Sequence, residues 1–384
     1  MHSRVPSEAR PLRIALFAPY DLARDGGVTN QIRSQARALR TLGHEVRIYG
    51  PASSPLPQGE IALCHAVPLI LSGTESGMSL DPASVWRVAR LLRHERFDLL
   101  HVHEPLTPLV PWSALRFASV PVVGTFHVYR EHGHRLYSLG RLVLRSLIEH
   151  IDFRIAVSEA AYRTVSRYFP GRYEVVPNGI DFDAFAAPRP RPAALATDRP
   201  HVLYVGRLER RKGVEYLVRA MAGVQRVVPR ARLVVAGDGP DRRHLMAVAR
   251  ECGTDATFLG RVANADLPAF IQASDIVCSP ALGGESFGIV LLEAMACGRP
   301  IVASRIDGYV GLAGDADCGL FAPPGDAGAI ERACVSLLQN DELRRAMGAR
   351  GAAAARAYDW PAIAERLVFI YRELLGRGTR KAEA

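Results

Sequence analysis

The sequence predicts an α/β protein made of two doubly wound lobes, each a mostly parallel sheet with helices on both faces. Three observations support this prediction. The chain has 384 residues, more than a single hydrophobic core usually holds. Short β-branched runs alternate with helix-length segments, as in parallel sheets. The alternation stops at a Pro-, Ala- and Arg-rich stretch, residues 188–200, and then starts again.

Eleven runs predict the strands of the two lobes. Those of the first lobe are residues 13–18, 45–49, 99–103, 120–125, 154–157 and 174–176. Those of the second lobe are residues 201–206, 232–236, 257–259, 275–279 and 300–303. We therefore expect the lobes to cover residues 1–187 and 188–359. Beyond them, helical apolar spacing over residues 360–375 predicts a terminal helix, whose docking site the spacing does not reveal.

Composition and charge limit the classes of protein that are possible. Hydrophobic residues make up 48% and charged residues 23%, as in folded globular proteins. The apolar runs are far shorter than the roughly 20 residues that span a bilayer, and the first eleven residues lack the apolar core of a secretory signal. Six cysteines without CxxC or zinc spacing fit reduced thiols. We therefore expect a cytoplasmic protein, whose net charge of +9 suits nucleic acid, anionic membrane or phosphorylated ligands alike.

Glycines follow the first strand of each lobe. The first strand of the chain leads to Gly26 and Gly27, and the first strand of the second lobe leads to Gly206. Neither site has the complete GxGxxG fingerprint, which disfavours a nicotinamide-dependent oxidoreductase. Gly26 and Gly27 precede a helix expected to begin near Thr29, where free N–H groups could accept a phosphate. A simple tight turn is the alternative.

A basic loop, GRLERRKG, occupies residues 206–213. It holds three arginines and a lysine at the carboxyl end of a predicted strand. Ligands of open α/β sheets bind beyond these strand ends, and functional residues concentrate in such loops. The loop therefore predicts a site for a diphosphate. A solvated basic surface loop is the alternative.

The most specific signal is the sequence GGESFGIVLLE at residues 283–293. It places two glutamates, Glu285 and Glu293, on either side of a glycine-containing segment that opens a helix. We expect Glu285 before the helix and Glu293 in its first turns. The N–H groups of residues 286–289 would then be available to a phosphate, and Glu293 to ribose hydroxyls.

Histidines mark the carboxyl ends of two strands in the first lobe. His127 follows the strand that ends at Thr125 and predicts contact with a sugar hydroxyl or a developing charge, with a structural histidine as the alternative. His101, His103 and Glu104 resemble a metal cluster because alternate strand residues share a face. No further ligand matches this group, so we predict no metal site.

A predicted helix over residues 84–96 has two faces of different chemistry. One face carries Val85, Val88, Ala89 and Leu92, and the other carries Arg87, Arg90 and His94. Such a helix could lie against anionic lipid, or it could pack on the sheet with its arginines in solvent. The sequence leaves both readings open.

Together these motifs resemble the family 4 glycosyltransferases, whose GT-B fold has two Rossmann-like lobes facing across a cleft. The resemblance spans essentially the whole chain, through the basic loop and the Glu-x7-Glu loop. Within the family the chain is similar to the phosphatidylinositol mannosyltransferase group. The shared motifs are Pro19-Tyr20, Gly26-Gly27-Val28, His103-Glu104-Pro105, Thr125-Phe126-His127, Pro177-Asn178-Gly179 and the loop at residues 283–290.

The resemblance implies retaining glycosyl transfer from a nucleotide diphosphate sugar, and a C-terminal helix, residues 360–384, that returns to the first lobe. Catalytic roles would fall on His127, Arg207, Lys212 and Glu285. The donor would be bound by Gly27, Arg207, Arg211, Lys212, Val262, Glu285, Ser286, Phe287, Gly288, Ile289 and Glu293. The acceptor would be bound by Tyr20 and His127.

The resemblance also implies how the reaction proceeds. The departing phosphate would help to deprotonate the acceptor on the same face of the sugar, while fixed cations stabilise the diphosphate. No metal or other cofactor is then expected. The expected donor is GDP-mannose and the expected acceptor a lipid such as phosphatidyl-myo-inositol. The protein would act at the inner face of the cell membrane, with an anionic membrane surface and no nucleic acid as partner.

Two positions depart from the group's pattern. In Ser76-Gly77-Met78, Gly77 lies where the group presents an arginine to the inositol phosphate, and Thr29 lies where it tends to carry glutamine. These departures leave the acceptor and the donor's sugar and base open. The alternative is a UDP-sugar-dependent enzyme acting on diacylglycerol or another acceptor. A nonenzymatic binding module is a further class, which the intact Arg207 and Lys212 disfavour.

Overall fold

The computed structural model describes residues 10–71, 74–131 and 133–382 and divides into two compact units. The first unit runs to Gly179 and also includes the segment that starts at Trp360. The second unit is Ile180–Asp359. The first unit thus ends at Gly179 rather than at the expected residue 187, because Ile180 and Phe182 are buried in the core of the second unit.

The first unit is built on a parallel sheet of seven strands. Its elements up to Gly179 are β1 (Arg13–Phe17), α1 (Gly27–Thr41), β2 (Glu45–Ala52), β3 (Glu60–His65), β4 (Val67–Leu71), β5 (Thr74–Met78), α2 (Ala83–His94), β6 (Leu99–His103), α3 (Val110–Phe117), β7 (Val122–Phe126), α4 (Arg135–Leu139), α5 (Arg141–Ile148), β8 (Phe153–Ala156), α6 (Glu159–Ser166) and β9 (Glu174–Val175). The strand order is β3-β2-β1-β6-β7-β8-β9, and β4 and β5 form a separate antiparallel pair.

The second unit has the same doubly wound plan. Its elements are α7 (Phe182–Ala186), β10 (His201–Val205), α8 (Val214–Val227), β11 (Arg232–Ala236), α9 (Arg242–Cys252), β12 (Ala256–Gly260), α10 (Leu267–Gln272), β13 (Ile276–Ser279), α11 (Ile289–Ala296), β14 (Ile301–Ser304), α12 (Asp307–Ala313), β15 (Gly319–Ala322), α13 (Ala327–Leu338) and α14 (Asp341–Ala355). The six strands are parallel, in the order β12-β11-β10-β13-β14-β15.

Both sheets bury apolar side chains on both faces. In β1, Ile14 and Leu16 pack in one core cluster with α1, while Ala15 and Phe17 belong to a second cluster with residues of α2 and α3. This division follows from strand geometry, since successive side chains point to opposite faces. The first strand of each unit lies between the two halves of its sheet, where the order of connections reverses. Ligands of open α/β sheets bind at such switch points.

The last helix, α15 (Trp360–Ala382), belongs to the first unit. Its predicted apolar stripe is buried in the same core cluster as Ile32 and Leu39 of α1, and the stripe comprises Ile363, Leu367, Ile370, Tyr371 and Leu374. No helix in the described part of the chain is both long enough and apolar enough to span a lipid bilayer.

The predicted fold class, two doubly wound α/β units, is confirmed, and the eleven predicted runs each coincide with a strand to within a few residues. The runs did not include β3, β4, β5 and β15. β3 is an edge strand with little burial in its first half, and β15 begins with Gly319. A Cβ atom at Gly319 would lie 2.2 Å from the Ile301 carbonyl oxygen, so close strand packing requires glycine there and weakens the β-branched signal.

Candidate active site

The basic loop lies against the segment that follows β13. Residues Arg210–Lys212 form a single 3-10 turn, and Gly213 takes φ 65° just before α8. A Cβ atom at Gly213 would lie 2.0 Å from the carbonyl oxygen of Pro280, so only glycine fits. The N–H of Leu282 donates to the Arg211 carbonyl at 2.8 Å. The two loops that carried the strongest sequence signals are therefore in direct contact.

Glu285 joins the two loops electrostatically. Its Oε1 is 2.9 Å from the Lys212 ammonium nitrogen and also pairs with the Arg211 guanidinium. Burial alone would raise the pKa of Glu285, but Lys212 and Arg211 lower it by more, and the net shift is downward. The side chain is only 15% exposed. A largely buried carboxylate thus stays ionised between two cations.

A second carboxylate supports the arginines of the basic loop. Glu209 is 6% exposed at its side chain and pairs with Arg211 at 2.9 Å and with Arg207 at 3.7 Å. Sequence reasoning did not assign Glu209 a role. The sequence feature that could have pointed to Glu209 is that it is the only acidic residue within GRLERRKG, among four basic ones. Arg207, Arg211 and Lys212 are therefore held by carboxylates of the second unit, with part of each side chain exposed.

The N-terminus of α11 is open. The helix begins at Ile289 after Gly288, which has φ 90°, and no side chain caps it. The first-turn N–H groups of a helix have no intrahelical acceptor, so this end suits an anion. Phe287 is buried, and its ring packs edge-on against Tyr358. Only the backbone of Phe287 is therefore placed to contact a donor substrate. Ser286 lies just before this turn and is half-buried.

Glu293 lies in the second turn of α11, as expected, but its electrostatics differ from those of Glu285. Burial raises its pKa to about 8. Among the described residues, Oε2 of Glu293 has no hydrogen-bond partner. Val262, which was also expected to bind the donor substrate, lies after β12. It is half-buried and packs against the core of the second unit.

In the first unit, the predicted residues after β1 lie at the start of α1. The helix begins at Gly27, two residues before the expected Thr29, and its N-cap Gly26 provides no side-chain cap. Thr29 is buried and therefore belongs to the packing of α1. Its neighbour Gln31 is also buried and exchanges two hydrogen bonds with the backbone of Gly179, at 3.0 and 3.1 Å.

His127 follows β7 and is held by Glu104. The Glu104 Oε1 accepts the backbone N–H groups of His127 and Val128, the latter at 2.7 Å. Glu104 has φ 43°, a region that non-glycine residues seldom adopt, and is 2% exposed. Burial raises its pKa to about 7 despite these hydrogen bonds. Burial, followed by the charge of Glu104, raises the pKa of Tyr20. Glu104 therefore contacts His127 and acts electrostatically on Tyr20, at the carboxyl ends of β1, β6 and β7.

His101 and His103 share a face of β6, as their spacing predicted, and their rings stack at 4.5 Å. The two nitrogens of His101 lie 2.6 Å from the hydroxyls of Thr125 and Tyr371. These contacts make the cluster a hydrogen-bonded part of the core. Within the described ranges, no three His, Cys, Asp or Glu side chains are grouped so as to hold a metal ion.

The departure at Gly77 has a structural reason. A Cβ atom there would lie 2.6 Å from the Cβ of Asp21, and the Asp21 N–H donates to the Gly77 carbonyl at 2.9 Å. Asp21 is buried, so it has little room to move. A larger residue at position 77 would require this contact to open.

Helix α2 uses its predicted apolar face for packing. Val88 and Ala89 are buried, and Val88 lies in the core cluster that contains residues of α3. Trp86 is 74% exposed, and Arg87 and Arg90 are also exposed. Of the two readings of this helix, packing on the fold is correct for its apolar face. The exposed side chains of the helix include Trp86, Arg90 and His94, whereas Arg87 is exposed but pairs with Asp81 at 2.6 Å.

Comparison with known proteins gives matches along the chain. Residues 25–184 match the family described as Glycosyltransferase Family 4, and residues 189–354 match Glycosyl transferases group 1. The chain is 36% identical to the phosphatidyl-myo-inositol mannosyltransferase of Mycobacterium leprae, over 96% of this chain and 99% of that protein. It is 31% identical to the D-inositol 3-phosphate glycosyltransferase of Segniliparus rotundus, over 92% and 86% of the two chains. The structure resembles sucrose-phosphate synthase from Thermosynechococcus elongatus with a TM-score of 0.77 at 24% identity, over 95% and 100% of the two chains.

Proposed function

Because the chain belongs to the family 4 glycosyltransferases, and its structure has the two Rossmann-like units of the GT-B fold, we propose that it is a retaining mannosyltransferase. In this proposal GDP-mannose is the donor and a lipid such as phosphatidyl-myo-inositol is the acceptor. The observation that carries it is the near full-length likeness to a protein named phosphatidyl-myo-inositol mannosyltransferase, together with the ion pairs among Arg211, Lys212 and Glu285.

The charged residues of the second unit support donor binding. Arg207, Arg211 and Lys212 supply positive charge for a diphosphate, and the open N-terminus of α11 adds N–H donors. Glu285 would hold sugar hydroxyls and Glu293 the ribose. A carboxylate accepts hydrogen bonds from hydroxyls, and both carboxylates lie in the segment from the loop after β13 into α11.

The same cations support a reaction without a protein nucleophile. The bond between the anomeric carbon and the donor phosphate breaks, and a bond to the acceptor oxygen forms on the same face. The acceptor proton passes to the departing phosphate. Arg207 and Lys212 stabilise the charge that develops on the diphosphate, a role often filled by a metal ion. We therefore propose that no metal is needed. Initial rates should stay within about twofold in excess EDTA, since one fixed cation already contributes several kcal/mol.

A lipid acceptor is supported by the likeness to the phosphatidyl-myo-inositol mannosyltransferase of Mycobacterium leprae. Tyr20 and His127 belong to the first unit, where Glu104 holds the backbone of His127. Gly77 offers no cation, and its packing against Asp21 leaves no room for one. An inositol phosphate would therefore need another cation. The alternative, a UDP-sugar-dependent transfer to diacylglycerol, needs no phosphate recognition on the acceptor.

We also propose that the protein works at the inner face of the cell membrane. A lipid acceptor requires it to reach the bilayer surface, and α2 presents Trp86 beside the exposed Arg87 and Arg90. Indole rings and arginine side chains are favoured at the interface of anionic membranes. Flotation with phosphatidylglycerol vesicles tests this: wild type should float, and Trp86→Ser should float less. Equal flotation with neutral vesicles would refute the proposal that binding requires anionic lipid.

The decisive experiment is product detection by mass spectrometry. The protein is incubated with GDP-mannose or UDP-glucose, each with vesicles of phosphatidylinositol or diacylglycerol. We expect mannosyl-phosphatidylinositol. Glucosyl-diacylglycerol would retain the enzyme class and reassign both substrates. Hydrolysis or transfer to soluble inositol phosphate alone would refute a lipid acceptor.

A further inference from the structure

Two buried imidazoles form a pair beside the proposed acceptor site. Nδ1 of His103 is 2.9 Å from Nε2 of His127, with the ring centroids 5.2 Å apart. The exposed fractions of the two residues are 1% and 7%. Burial lowers the pKa of both side chains far below the usual value. Both rings are therefore neutral at physiological pH, and each carries one N–H.

The surroundings of His103 fix its ring. His101 stacks on it with an interplanar angle of 10°, and His101 is itself held by Thr125, Tyr371 and Gln35. The other nitrogen of His103, Nε2, is buried and has no hydrogen-bond partner among the described residues. Both histidines line a cavity of about 20 Å³, which is close to the volume that one water molecule requires.

A hydrogen bond between two neutral imidazoles can run in either direction. If His127 donated, His103 would carry its N–H on the buried Nε2, where no group of the described residues accepts it and a water in the small cavity would have to do so. If His103 donates from Nδ1, Nε2 is only a lone pair without a donor. Orphaned buried N–H groups are rarer than under-satisfied acceptors, so the second arrangement is favoured. We propose that His103 donates from Nδ1 to His127 and thereby fixes His127 in the tautomer protonated on Nδ1.

The fixed tautomer gives His127 a defined function. Its Nε2 accepts from His103, so Nδ1 is the ring nitrogen left for a ligand, and it offers an N–H. Nearby, the backbone N–H of His127 is held by Glu104, which restricts movement of the ring. His127 then donates to a sugar or acceptor hydroxyl oxygen and does not act as a base. His103 is a positioning residue in this scheme, which rests on the proposed contact of His127 with substrate.

The tautomer can be observed without any substrate. The full chain is labelled with 15N-histidine, and long-range 1H–15N correlation spectra distinguish a protonated from an unprotonated ring nitrogen. We expect Nδ1–H signals for both His103 and His127, assigned with His103→Asn and His127→Asn. Free imidazole side chains favour the other tautomer, so the pattern is diagnostic. A His127 signal protonated on Nε2 would overturn the inference, whatever the enzyme's substrates are.

Kinetics then test the consequence for transfer. His103→Leu removes the donor, whereas His103→Asn places an amide N–H near the original Nδ1. We expect His103→Leu to lower kcat by about three- to tenfold, the kinetic equivalent of one hydrogen bond, with the donor KM within about twofold. His103→Asn should restore most of this loss. Equal losses in both variants would contradict the inference.

Two further variants separate this inference from the proposed function. Tyr371→Phe perturbs His101 without removing the His103 donor, and should leave the His127 tautomer unchanged. If His127→Ala transfers sugar as well as wild type, His127 has no role in the proposed reaction, yet the spectra still decide its tautomer. Failure of one proposal is therefore distinguishable from failure of the other.

Discussion

Each unit buries a titratable group after one of its strands, Glu285 in the second unit and His127 in the first, but Glu285 is ionised and His127 is neutral. In the second unit, Glu285 lies between Lys212 and Arg211, and its pKa falls despite burial. In the first unit, no ion pair of Glu104 or His127 occurs among the described residues. Burial outweighs the charge of Arg130 on Glu104, and the pKa values of Glu104 and His127 shift to about 7 and about 3. Burial disfavours charge in both places, and only close counter-ions reverse the result.

A second comparison lies within the second unit. Glu285 and Glu293 belong to one short sequence motif, yet their pKa values shift in opposite directions, downward for Glu285 and to about 8 for Glu293. The difference is the basic loop, which reaches Glu285 only. A charged site suits a diphosphate, and a neutral hydrogen-bonding site suits hydroxyl groups. In the proposed function the ionised Glu285 lies beside the cations that bind the diphosphate and accepts from sugar hydroxyls, and the largely neutral Glu293 faces the ribose hydroxyls.

The largest expected effect comes from removing a cation of the charged site. Lys212→Ala should lower kcat/KM for the donor by about 10²- to 10³-fold, comparable to the loss of one oxyanion-type donor. Arg210→Ala is the matched control, because Arg210 is exposed in the same turn. Steady-state kinetics of both variants measure the difference. Similar losses in both would show that the loop acts by overall charge alone.

Glu293→Gln should separate the two glutamates by their effect on stability. The folded pKa of Glu293 lies above its usual value, so its favourable contribution is complete below about pH 4.5 and is lost as pH rises through about 8. Glutamine mimics the protonated form. The variant should therefore be more stable than wild type at pH 8, by about 1–3 kcal/mol after discounting for partial exposure.

Urea unfolding at pH 5 and pH 8 measures this difference, which should shrink at the lower pH. Glu285→Gln is the contrasting variant, because it removes an ionised partner from Lys212 and Arg211. Glu285→Gln should lower the free energy of unfolding at both pH values. A gain in stability at pH 8 from Glu285→Gln would break the comparison between the two glutamates.

The histidine cluster should respond to pH with the opposite sign. The folded pKa of His101 is about 3, below its usual value, so its contribution to stability is complete above about pH 6.5 and is lost as pH falls. In His101→Gln, the loss between pH 7.5 and pH 5 should be smaller by about 1–2 kcal/mol. Urea unfolding at the two pH values gives the slope. An unchanged slope would mean that His101 remains protonatable in the folded protein.

Much of this arrangement was predictable from the sequence. Alternating runs identified the sheets, and the loops at residues 206–213 and 283–293 indicated a shared site that the structure brings into contact. The spacing predicted that His103 and His127 each lie at the end of a strand, but it did not predict the contact between them. The roles of Glu104 and Glu209 were not predictable, because they depend on a positive φ in one case and on long-range ion pairs in the other. Edge strand β3 and the glycine-led β15 lacked the pattern that identifies buried strands.

Helix α15 also shows which contacts the sequence predicts and which it does not. Helical spacing predicted that Ile363, Leu367 and Tyr371 share a face, and the structure buries all three in the core of the first unit. Spacing gave no sign that the Tyr371 hydroxyl would reach His101, which is 270 residues away along the chain. Contacts of this kind depend on the packing of α15 against α1. The sequence alone therefore does not predict them.

The smallest expected effect comes from removing the hydrogen bond between Tyr371 and the neutral ring of His101. Tyr371→Phe removes a hydroxyl that lies 2.6 Å from Nδ1 of His101, but Gln35 remains 3.0 Å from the same nitrogen. Gln35 and the Nδ1 of His101 still contact each other after this change, so urea unfolding at pH 7.5 should show a loss of only about 0.5–1 kcal/mol. Arg211→Gln, which leaves Glu285 with one cation fewer, should cost more. If Tyr371→Phe were the costlier change, the neutral network would be the more cooperative of the two regions, and charge would not be what distinguishes them.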